Sequence, residues 1–461
     1  MKNVDVVIIG GGLAGIFTAY ELAVRAPSAS VLLVEQGDPI VKRSCPIVAG
    51  QVARCINCPV CDIMRGFGGA GAFSDGKFNF TTAFGGWLTD YLSSEKVMEL
   101  IDYVDLVNQE FGATTNTFST DTPEADKIRL KALGEDIHLL DARCKHLGTE
   151  KNRELLEKIS DWLDERIEMW LNVRVDSIEP ADQGYRIETT RGEVSSRFVV
   201  AAPGRSGAEW FAGQCRQLDL TLINNQVDLG VRVELPALVF KEITDAMYEA
   251  KLTYRTKQYG DMVRTFCMNP YGYVVSENTD GIITVNGHSY DAPELRSNNT
   301  NFALLVSNRF TAPFKEPYRY GKHIASLSNM LGGGVMVQRL GDLLDGRRTD
   351  THRLDKSFVR PTLDATPGDL SLVLPKRHLD NIVEFLHALD TLAPGTANRD
   401  TLLYGVEVKF YSARLELSNT FETQLKNLFA IGDGAGITRG LSQAGASGVR
   451  AAREIASRLS T

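Results

Sequence analysis

Residues 4–35 read VDVVIIGGGLAGIFTAYELAVRAPSASVLLVE and hold the pattern that decides the fold of the N-terminal part of the chain. The run VDVVII is apolar and β-branched enough for a strand buried on both faces, as strands of parallel sheets are. Helix-forming residues follow the glycines at 10–12, and SVLLVE then repeats the buried-strand pattern up to Glu35. The stretch therefore predicts a strand, a glycine turn, a helix, a second strand and an acid, in that order.

Three glycines in this stretch have the spacing G-x-G-x-x-G. Gly10 suits a tight turn, Gly12 lets a pyrophosphate approach the backbone, and Gly15 lets the helix pack closely on the strand. The start of the helix adds amide donors and the positive end of the helix dipole. Glu35 follows where an acid accepts hydrogen bonds from ribose hydroxyls and disfavours a 2′-phosphate. The sequence predicts a site for FAD or NAD.

Residues 427–459 decide between these two cofactors. NLFAIGDGAG gives a short apolar strand and then Gly432 and Asp433, and a helix rich in small residues follows. This pattern resembles the second FAD signature of the glutathione reductase-like flavoproteins. The resemblance implies that Asp433 binds the ribityl chain and that the start of the helix faces the flavin. Since a domain for NAD alone would not need this motif, we expect FAD.

Two further segments resemble parts of the same superfamily. RFVVAAPGRSG at 197–207 is similar to the strand and glycine turn that return to the dinucleotide, and it includes Ala202 and Gly204. The strand around LNVRVDSI, ending near Val175, occupies the place where the superfamily meets the adenine through main-chain atoms. Four segments in the expected order are more specific than any one of them.

Length and composition favour a two-lobed globular protein. The 461 residues are too many for one ordinary core, and 43% hydrophobic with 23% charged residues is typical of globular chains. No apolar run approaches the roughly 18 residues of a membrane span, and VDVVII is interpreted as a strand, not a signal peptide. The seven cysteines favour a reducing cytoplasm, and the net charge of -8 argues against nucleic acid as the main partner.

The pattern along the chain predicts an α/β protein. A discontinuous, glutathione reductase-like FAD-binding Rossmann domain is assigned to 1–215 and, after the chain returns, to 401–461. A mostly antiparallel α+β substrate lobe is assigned to 216–400, because residues such as VDLGVRVEL (227–235) alternate apolar and polar, as a half-buried strand does. YGYVVSENTDGIITVNGHS then predicts two strands joined by a turn at 278–281.

Two helices are expected in a helical insertion at about 90–140 that covers the FAD-binding domain. The first spans 94–112 with Ser94 as its N-cap, and the second spans 122–133 with Thr122 as its N-cap.

The stretch VARCINCPVCDIMRG (52–66) places Cys55, Cys58 and Cys61 at every third position, about 20 residues beyond Glu35. Three interpretations stand. The three thiols, with Cys45 as a fourth ligand, suit an iron–sulfur cluster or zinc. A redox-active pair that exchanges electrons with the flavin needs a nearby positive charge to favour the thiolate. The third interpretation is that these cysteines are buried, reduced and inert.

The next residues, GFGGAGAFSDGKF (66–78), lack side chains where a backbone would approach a flat ring or a phosphate. Ser74, Asp75 and Lys77 supply polar groups immediately afterwards. Lys77 could hold negative charge on a reduced flavin or on a substrate carboxylate. The alternative is a surface loop with a solvated lysine.

Taken together, four phrases of the sequence resemble one family, the bacterial and archaeal FAD-dependent dehydrogenases with an FAD-dependent C-terminal domain. The phrases are CPVCDIMRGFGGAGAFSDGKF, VDLGVRVELP, TFCMNPYGYVV with NGHS, and GVEVKFYS, and they extend the resemblance over nearly the whole chain. The resemblance implies a cytoplasmic flavoenzyme with a substrate lobe over the flavin, and it assigns no substrate.

Candidates for chemistry beyond the flavin are few. The catalytic candidates are Cys55, Cys58, Lys77 and His288. His146 is a further acid–base candidate, and each histidine also fits a structural role. Cys267 is expected in the core, and Arg232 is expected to form a structural ion pair with Glu234.

The function expected from these observations is FAD-dependent oxidoreduction, with a hydride or electron pair passing through flavin N5 to or from a small molecule. The alternatives are a flavin-dependent RNA-modifying enzyme and a non-catalytic flavin-binding sensor. No second strand-GxGxxG-helix unit appears in the sequence, so NAD(P)H as a transient donor would bind without its own Rossmann domain. The expected cofactor-binding residues are Gly10, Gly12, Leu13, Ala14, Gly15, Glu35, Gln36, Gly69, Ala70, Gly71, Ser74, Val175, Ala202, Gly204, Gly432, Asp433 and Ala446.

Overall fold

The computed structural model describes the chain except for residues 53–55, 57, 59, 224, 280, 291, 309, 311–313, 315, 411, 413 and 461. It divides into two compact units. Unit 1 comprises Met1–Asn116, Cys144–Asn225 and Tyr411–Thr461, and unit 2 comprises Thr117–Arg143 and Gln226–Phe410.

The bounds of the regular elements are as follows. The strands are β1 (Lys2–Ile9), β2 (Val31–Glu35), β3 (Lys77–Phe80), β4 (Phe118–Ser119), β5 (Ile137–Leu139), β6 (Arg143–His146), β7 (Glu168–Leu171), β8 (Val175–Ala181), β9 (Gly184–Thr189), β10 (Gly192–Ala201), β11 (Leu222–Ile223), β12 (Val227–Pro236), β13 (Leu252–Arg255), β14 (Met262–Asn269), β15 (Tyr273–Thr279), β16 (Ile282–His288), β17 (Asn299–Asn308), β18 (Met336–Arg339), β19 (Thr366–Pro367), β20 (Leu402–Phe410), β21 (Arg414–Leu415) and β22 (Leu428–Ala430). The helices are α1 (Leu13–Arg25), α2 (Ser94–Glu110), α3 (Pro123–Leu133), α4 (Thr149–Asp164), α5 (Ala208–Gln217), α6 (Ala237–Met247), α7 (Pro317–Gly332), α8 (Leu340–Leu344), α9 (Thr351–Asp355), α10 (Lys376–Leu392) and α11 (Leu441–Leu459).

Unit 1 is built on a mixed sheet in the order β7-β2-β1-β10-β9-β8, with β22 also paired to β10. The pairs β7–β2, β2–β1, β1–β10 and β10–β22 are parallel. Strand β9 pairs antiparallel with both β10 and β8. The middle of the sheet is buried on both faces, as the apolar run of β1 predicts, since residues 6–9 are at most 5% exposed. This is the Rossmann-like sheet expected from residues 4–35.

Helices α1 and α11 pack tightly against each other beside this sheet. A Cβ atom at Gly448 would overlap the carbonyl oxygen of Ala14, and one at Gly445 would lie 3.0 Å from Phe17. The small residues of α11 therefore allow its backbone to approach α1, and this close packing holds the starts of the early and late helices in one region of unit 1.

Unit 2 is built on a second sheet in the order β19-β18-β20-β12-β17-β14-β13-β5. One face carries Leu229, Val231 and Val233 of β12 into an apolar core that includes residues of α6 and α10. The opposite face carries Asp228, Arg232 and Glu234, and these side chains are also completely buried. Alternation predicted a half-buried strand here, but both faces of β12 are buried. β15 and β16 form the expected antiparallel hairpin, with Thr279 paired to Ile282.

Two of three expected local features differ in the structure. The N-cap of α2 is Ser93, whose hydroxyl accepts from the amide of Lys96, and not Ser94. Thr122 caps α3 as expected. The predicted adenine strand is two strands, because β7 ends at Leu171 and β8 begins at Val175.

The predicted helical insertion is divided between the units. Helix α2 packs its apolar residues into unit 1, whereas Ala125, Ile128 and Ala132 of α3 join the core of unit 2. The reason lies in pairing over a long sequence distance, since β5 adds to the edge of the second sheet beside β13. No helix in the described part of the chain combines the length and the apolar character that crossing a membrane requires.

Candidate functional site

The first turn of unit 1 has the geometry that its glycines predict. A Cβ atom at Gly10 would overlap the carbonyl oxygen of Ala202, and one at Gly15 would overlap the carbonyl oxygen of Gly10. Gly12 precedes α1, where no side chain caps the first amides and no acid occupies the first turn. The start of the helix therefore presents backbone donors and a positive dipole end, which together suit a phosphate.

Glu35 ends β2 and is almost fully buried. Its carboxylate accepts backbone hydrogen bonds from Gly11 (2.7 Å), Gly37 (2.9 Å) and Gly66 (2.9 Å). These three amides fix the orientation of the carboxylate and stabilise its charge, while a carboxylate still has capacity for further donors such as ribose hydroxyls. Gln36 follows directly and is half-buried.

The predicted adenine contact lies beside this acid. The amide of Val173 donates to the carbonyl of Glu35 (3.0 Å), and the amide of Asn172 donates to the carbonyl of Gly37 (3.1 Å). Val175 itself opens β8 and is buried. The segment between β7 and β8 thus lies next to Glu35, although the sequence predicted one strand there.

The glycine loop at 66–71 contacts the starts of both helices. The amide of Gly68 donates to the carbonyl of Gly11 (2.8 Å), and a Cβ atom at Gly69 would lie 3.0 Å from the Cα of Gly12. A Cβ atom at Gly71 would lie 3.0 Å from Leu441 and 3.2 Å from Leu13, the first residues of α11 and α1.

Backbone conformation in this loop also requires glycine. Gly68 has φ +91° and Gly69 has φ +58°, a region that residues with a Cβ atom rarely adopt. Ala70 and Gly71 continue a short 3₁₀ turn to Phe73, and the Ser74 hydroxyl closes it by donating to the carbonyl of Gly71 (2.7 Å). Ser74 thus has a structural bond within its own turn.

The late motif lies against the return strand. The Thr438 hydroxyl donates to Asp433 Oδ1 (2.7 Å), and the amide of Gly432 donates to the Ser447 hydroxyl (3.2 Å). Gly434 packs on Pro203 and Gly204, so that a Cβ atom there would crowd both. Ala446 of α11 is fully buried.

These features fit FAD. A Cβ atom at Gly204 would meet open space, and the buried hydroxyl of Ser442 in the first turn of α11 has no hydrogen-bond partner. Gly440, before α11, provides no side-chain cap. Two uncapped helix starts, a buried acid and a glycine loop between them form a site for an elongated molecule with phosphates and a ribose.

Arg43 binds the backbone of the glycine loop and of the residues before it, and no sequence pattern indicated this role. Its guanidinium is buried and donates to the carbonyl oxygens of Asp62 (2.9 and 2.6 Å), Ile63 (3.2 Å) and Phe67 (2.7 Å). Burial lowers the pKa of Arg43 to about 10, although the charges of Glu35 and Asp62 act in the opposite direction. The loop is thus organised around one buried cation.

A cluster of three ionisable residues follows the loop. Asp75 Oδ2 lies 3.3 Å from Lys77 Nζ and 3.6 Å from His146 Nε2, and all three side chains are nearly buried. The backbone fixes this arrangement, because the amide of Gly148 donates to the carbonyl of Asp75 (3.0 Å). The structure therefore brings together two of the predicted candidates, Lys77 and His146. Asp75 and His146 are 71 residues apart in the sequence, so no local spacing pattern could have predicted that they meet.

The other chemical candidates stand separately. Cys55 lies outside the described residues, so the redox pair with Cys58 stays a prediction. Cys45, Cys58 and Cys61 are partly exposed and form no disulfide. Across the described ranges, no three His, Cys, Asp or Glu residues are grouped so that they could hold a metal ion. The cluster-binding interpretation also needs Cys55 and stays a prediction.

His288 ends β16 in unit 2. Its ring lies 4.8 Å from that of Tyr290 and 6.2 Å from that of Tyr273.

Cys267 is partly exposed and has φ +43°, so it is not the core residue that the sequence suggested. Arg232 pairs with Glu407 and not with Glu234, because β20 lies next to β12 in the sheet.

Comparison with known proteins gives two family matches. Residues 227–410 match the model described as FAD-dependent protein, C-terminal domain-like, and residues 5–45 match the model described as FAD dependent oxidoreductase. No curated protein matches the chain. Among solved structures, glycine oxidase from Geobacillus kaustophilus is 13% identical, with 99% of this chain and 95% of that chain covered and a TM-score of 0.39. L-Proline dehydrogenase from P. horikoshii is 11% identical, with 98% and 93% covered and a TM-score of 0.43.

The match over residues 5–45 covers most of β1, the glycine turn, α1 and Glu35, and the match over residues 227–410 covers the central strands of unit 2. Both describe FAD-dependent proteins, in agreement with the geometry of unit 1. The protein is an FAD-dependent oxidoreductase whose substrate is not identified.

Proposed function

We propose that FAD binds to unit 1 in an extended form, as in the glutathione reductase-like flavoproteins. The start of α1 would hold the pyrophosphate, Glu35 the adenosine ribose and Asp433 the ribityl chain. The observation that carries the proposal is the contact of the loop at 66–71 with Gly12, Leu13 and Leu441, the starts of both helices. When bound, the flavin supplies two-electron chemistry at N5, in exchange with a small-molecule substrate.

In this proposal the cluster of Asp75, Lys77 and His146 supplies charge and proton handling. Lys77 carries a positive charge two residues after Asp75, and the carboxylate balances that charge in a nearly buried place. His146 can give or accept a proton at Nε2, with Asp75 stabilising its protonated form. The ammonium of Lys77 would stabilise negative charge that develops on the substrate or on the reduced flavin.

The same proposal includes a cytoplasmic location and a small, non-polymeric substrate. The net charge of -8 supports this, because nucleic acids are bound through basic surfaces. An RNA-modifying role would require a continuous basic groove. A sensor would carry a flavin that no donor reduces faster than free FAD. Both are outcomes of the experiment below.

The experiment measures the flavin content of purified protein and then its reduction under anaerobic conditions by stopped flow. Candidate donors include NADH, NADPH and small amines or acids. We expect bound FAD at one equivalent and reduction by one donor class faster than that of free FAD. Colourless protein that stays colourless after reconstitution would refute FAD binding. Bound flavin that no donor reduces faster than free FAD would favour the sensor, and reduction stimulated by transfer RNA would favour RNA modification.

Lys77→Met and His146→Gln test the cluster. We expect both variants to retain FAD and to slow the reductive step at least tenfold, and His146→Gln to change the pH dependence of that step. Lys42→Met is the matched control, because Lys42 is an exposed cation next to Arg43 in the sequence. Equal rates in all four proteins would exclude a role of the cluster in the chemistry.

A further inference from the structure

Arg205 is a cation in unit 1 that lies beside the start of α1. It is the only lysine or arginine in the turn at 10–15 and in the segments 66–71, 202–207 and 432–434, which contact that turn or each other. The sequence patterns indicated Ala202 and Gly204 as cofactor residues, but they gave no role to Arg205. Its side chain is 30% exposed, so a bound molecule can reach the charge.

Backbone contacts fix the position of the turn that carries Arg205. A Cβ atom at Gly10 would overlap the carbonyl oxygen of Ala202, and one at Gly434 would lie 2.9 Å from the amide nitrogen of Gly204. A Cβ atom at Gly432 would lie 2.9 Å from the Cβ of Ala14, in the first turn of α1. Arg205 follows Gly204 directly, so its long side chain begins next to the helix start whose amides suit a phosphate.

The guanidinium of Arg205 is only loosely paired. Its Nε lies 3.9 Å from Asp433 Oδ2, which is beyond hydrogen-bond distance. Within the part of the chain that the structure describes, this guanidinium donates no hydrogen bond. The Asp433 side chain is 21% exposed, and its other oxygen accepts from the hydroxyl of Thr438 (2.7 Å). Because exposed ion pairs stabilise a fold little, Arg205 and Asp433 can change partners at low cost.

The turn also leaves room for a ligand. A Cβ atom at Gly204 would meet no atom within 4 Å, although Gly434 packs against the backbone of the same residue. Gly204 and Arg205 are both partly exposed. An elongated molecule that lies along the start of α1 can therefore approach this backbone and the guanidinium together.

The chemistry of the guanidinium favours a diphosphate as its partner. Arginine presents a planar fork of donors that binds phosphate oxygens bidentately, and such charge-assisted hydrogen bonds are stronger than neutral ones. The start of α1 contributes only roughly half an elementary positive charge. A full cation beside this helix start would therefore bind the two negative charges of a diphosphate more tightly than the helix does by itself.

We propose that Arg205 binds the diphosphate of FAD and that it leaves Asp433 for the diphosphate when FAD binds. Asp433 Oδ2 then becomes available to a hydroxyl of the ribityl chain. Arg205 thus links recognition of the diphosphate to recognition of the flavin half of the cofactor. The inference rests on the proposed FAD site, and it names the residue through which that site selects a diphosphate.

The test is calorimetric titration of the deflavinated, full-length protein with FAD and with ADP, which carries the diphosphate but no ribityl chain. Arg205→Gln should weaken both ligands by about tenfold or more, as expected for loss of a charge-assisted contact. Added NaCl should weaken FAD less in this variant than in the wild type, because the screened charge is gone. Arg205→Lys keeps the charge without the planar fork, so its affinities should be intermediate.

Asp433→Asn tests the exchange of partners. This variant should bind ADP more tightly than the wild type, because Arg205 is no longer attracted to a carboxylate, and it should bind FAD less tightly, because the ribityl acceptor is weakened. In the double variant with Arg205→Gln, the gain for ADP should be smaller. A purely structural role of the ion pair would instead change both affinities in the same direction.

Arg186→Gln is the matched control. Arg186 on β9 pairs with Glu179 on β8, and their side chains are 47% and 46% exposed, so the variant removes another accessible ion pair of unit 1. It should bind FAD and ADP as the wild type does. The melting temperature of each variant without ligand shows whether it folds. If Arg205→Gln does not fold, Arg205→Lys and Asp433→Asn carry the test.

The proposal is overturned if Arg205→Gln binds ADP within about threefold of the wild type, even when FAD is weakened, because Arg205 would then act away from the diphosphate. It is also overturned if Asp433→Asn does not raise the affinity for ADP. A wild-type protein that binds ADP through Arg205 but binds no FAD would refute the proposed FAD site and not the role of Arg205.

Discussion

The strongest test of the site is the removal of the guanidinium of Arg43. Arg43→Met keeps an unbranched stem of similar length and removes the charge and every donor. The carbonyl oxygens of Asp62, Ile63 and Phe67 would then lose their partner in a buried place. We expect the variant to fold, to lose the ordered conformation of the loop at 62–71 and to bind FAD weakly.

The magnitude follows from two opposing terms. Three acceptors bonded to a charged donor are worth about 2 kcal/mol each, or about 6 kcal/mol. The fall in the pKa of Arg43 from 12.5 to about 10 means that its surroundings disfavour the cation by about 3 kcal/mol. The difference leaves a net loss of about 3 kcal/mol. If loop order is fully coupled to binding, the affinity for FAD falls by about 100-fold.

The assay is fluorescence titration of deflavinated protein with FAD, together with limited proteolysis of the loop. Lys42→Met is the control, since it removes an adjacent but exposed cation. The reasoning would be refuted if Arg43→Met bound FAD within threefold of the wild type and resisted protease equally. Arg43→Lys, which keeps a charge but not the planar fork, should fall between the two.

Three further predictions concern other parts of the fold. Gly15→Ala should abolish FAD binding and lower the melting temperature, because the added Cβ atom overlaps the Gly10 carbonyl. Glu35→Gln should destabilise the apoprotein by about 2 kcal/mol, measured by denaturant unfolding. In the wild type both carboxylate oxygens accept from backbone amides, whereas the glutamine NH₂ group would face one of these amides and could not accept from it. His378 is buried without a hydrogen-bond partner, and burial lowers its pKa from 6.5 to about 4. The unfolded chain therefore takes up this proton first as the pH falls, and the free energy of unfolding should decrease between pH 6.5 and 4 by up to about 3 kcal/mol. His378→Leu should remove that part of the pH dependence.

Each of these predictions has a matched control. Gly213→Ala, in the middle of α5, should be neutral or slightly stabilising, because a Cβ atom there meets open space. Glu168→Gln, which removes an exposed ion pair with Lys2, should change stability by less than about 1 kcal/mol. His352→Leu, at an exposed position, should leave the pH dependence as in the wild type. A loss in any control equal to that in its test variant would contradict the mechanism given for that variant.

Local patterns in the sequence were sufficient for much of unit 1. The strand, glycine turn, helix and acid of residues 4–35 occur as predicted, and the late strand and helix begin within the expected stretch. Such elements are predictable because strand and helix periodicity, glycine turns and caps depend on residues only a few positions apart. The same holds for the hairpin of β15 and β16.

The tertiary structure alone decided which distant residues meet. The chain after residue 116 leaves unit 1 and contributes β5 to the edge of the second sheet, so α3 packs with unit 2. Strand order places Glu407 beside Arg232, and the return of the chain places His146 beside Asp75. Alternation in β12 correctly indicated a polar face. That this face is buried, and that its charged side chains pair with residues of neighbouring strands such as Glu407, follows only from the assembled sheet. Pairing between segments far apart in sequence depends on how the sheets assemble, and no local pattern records it.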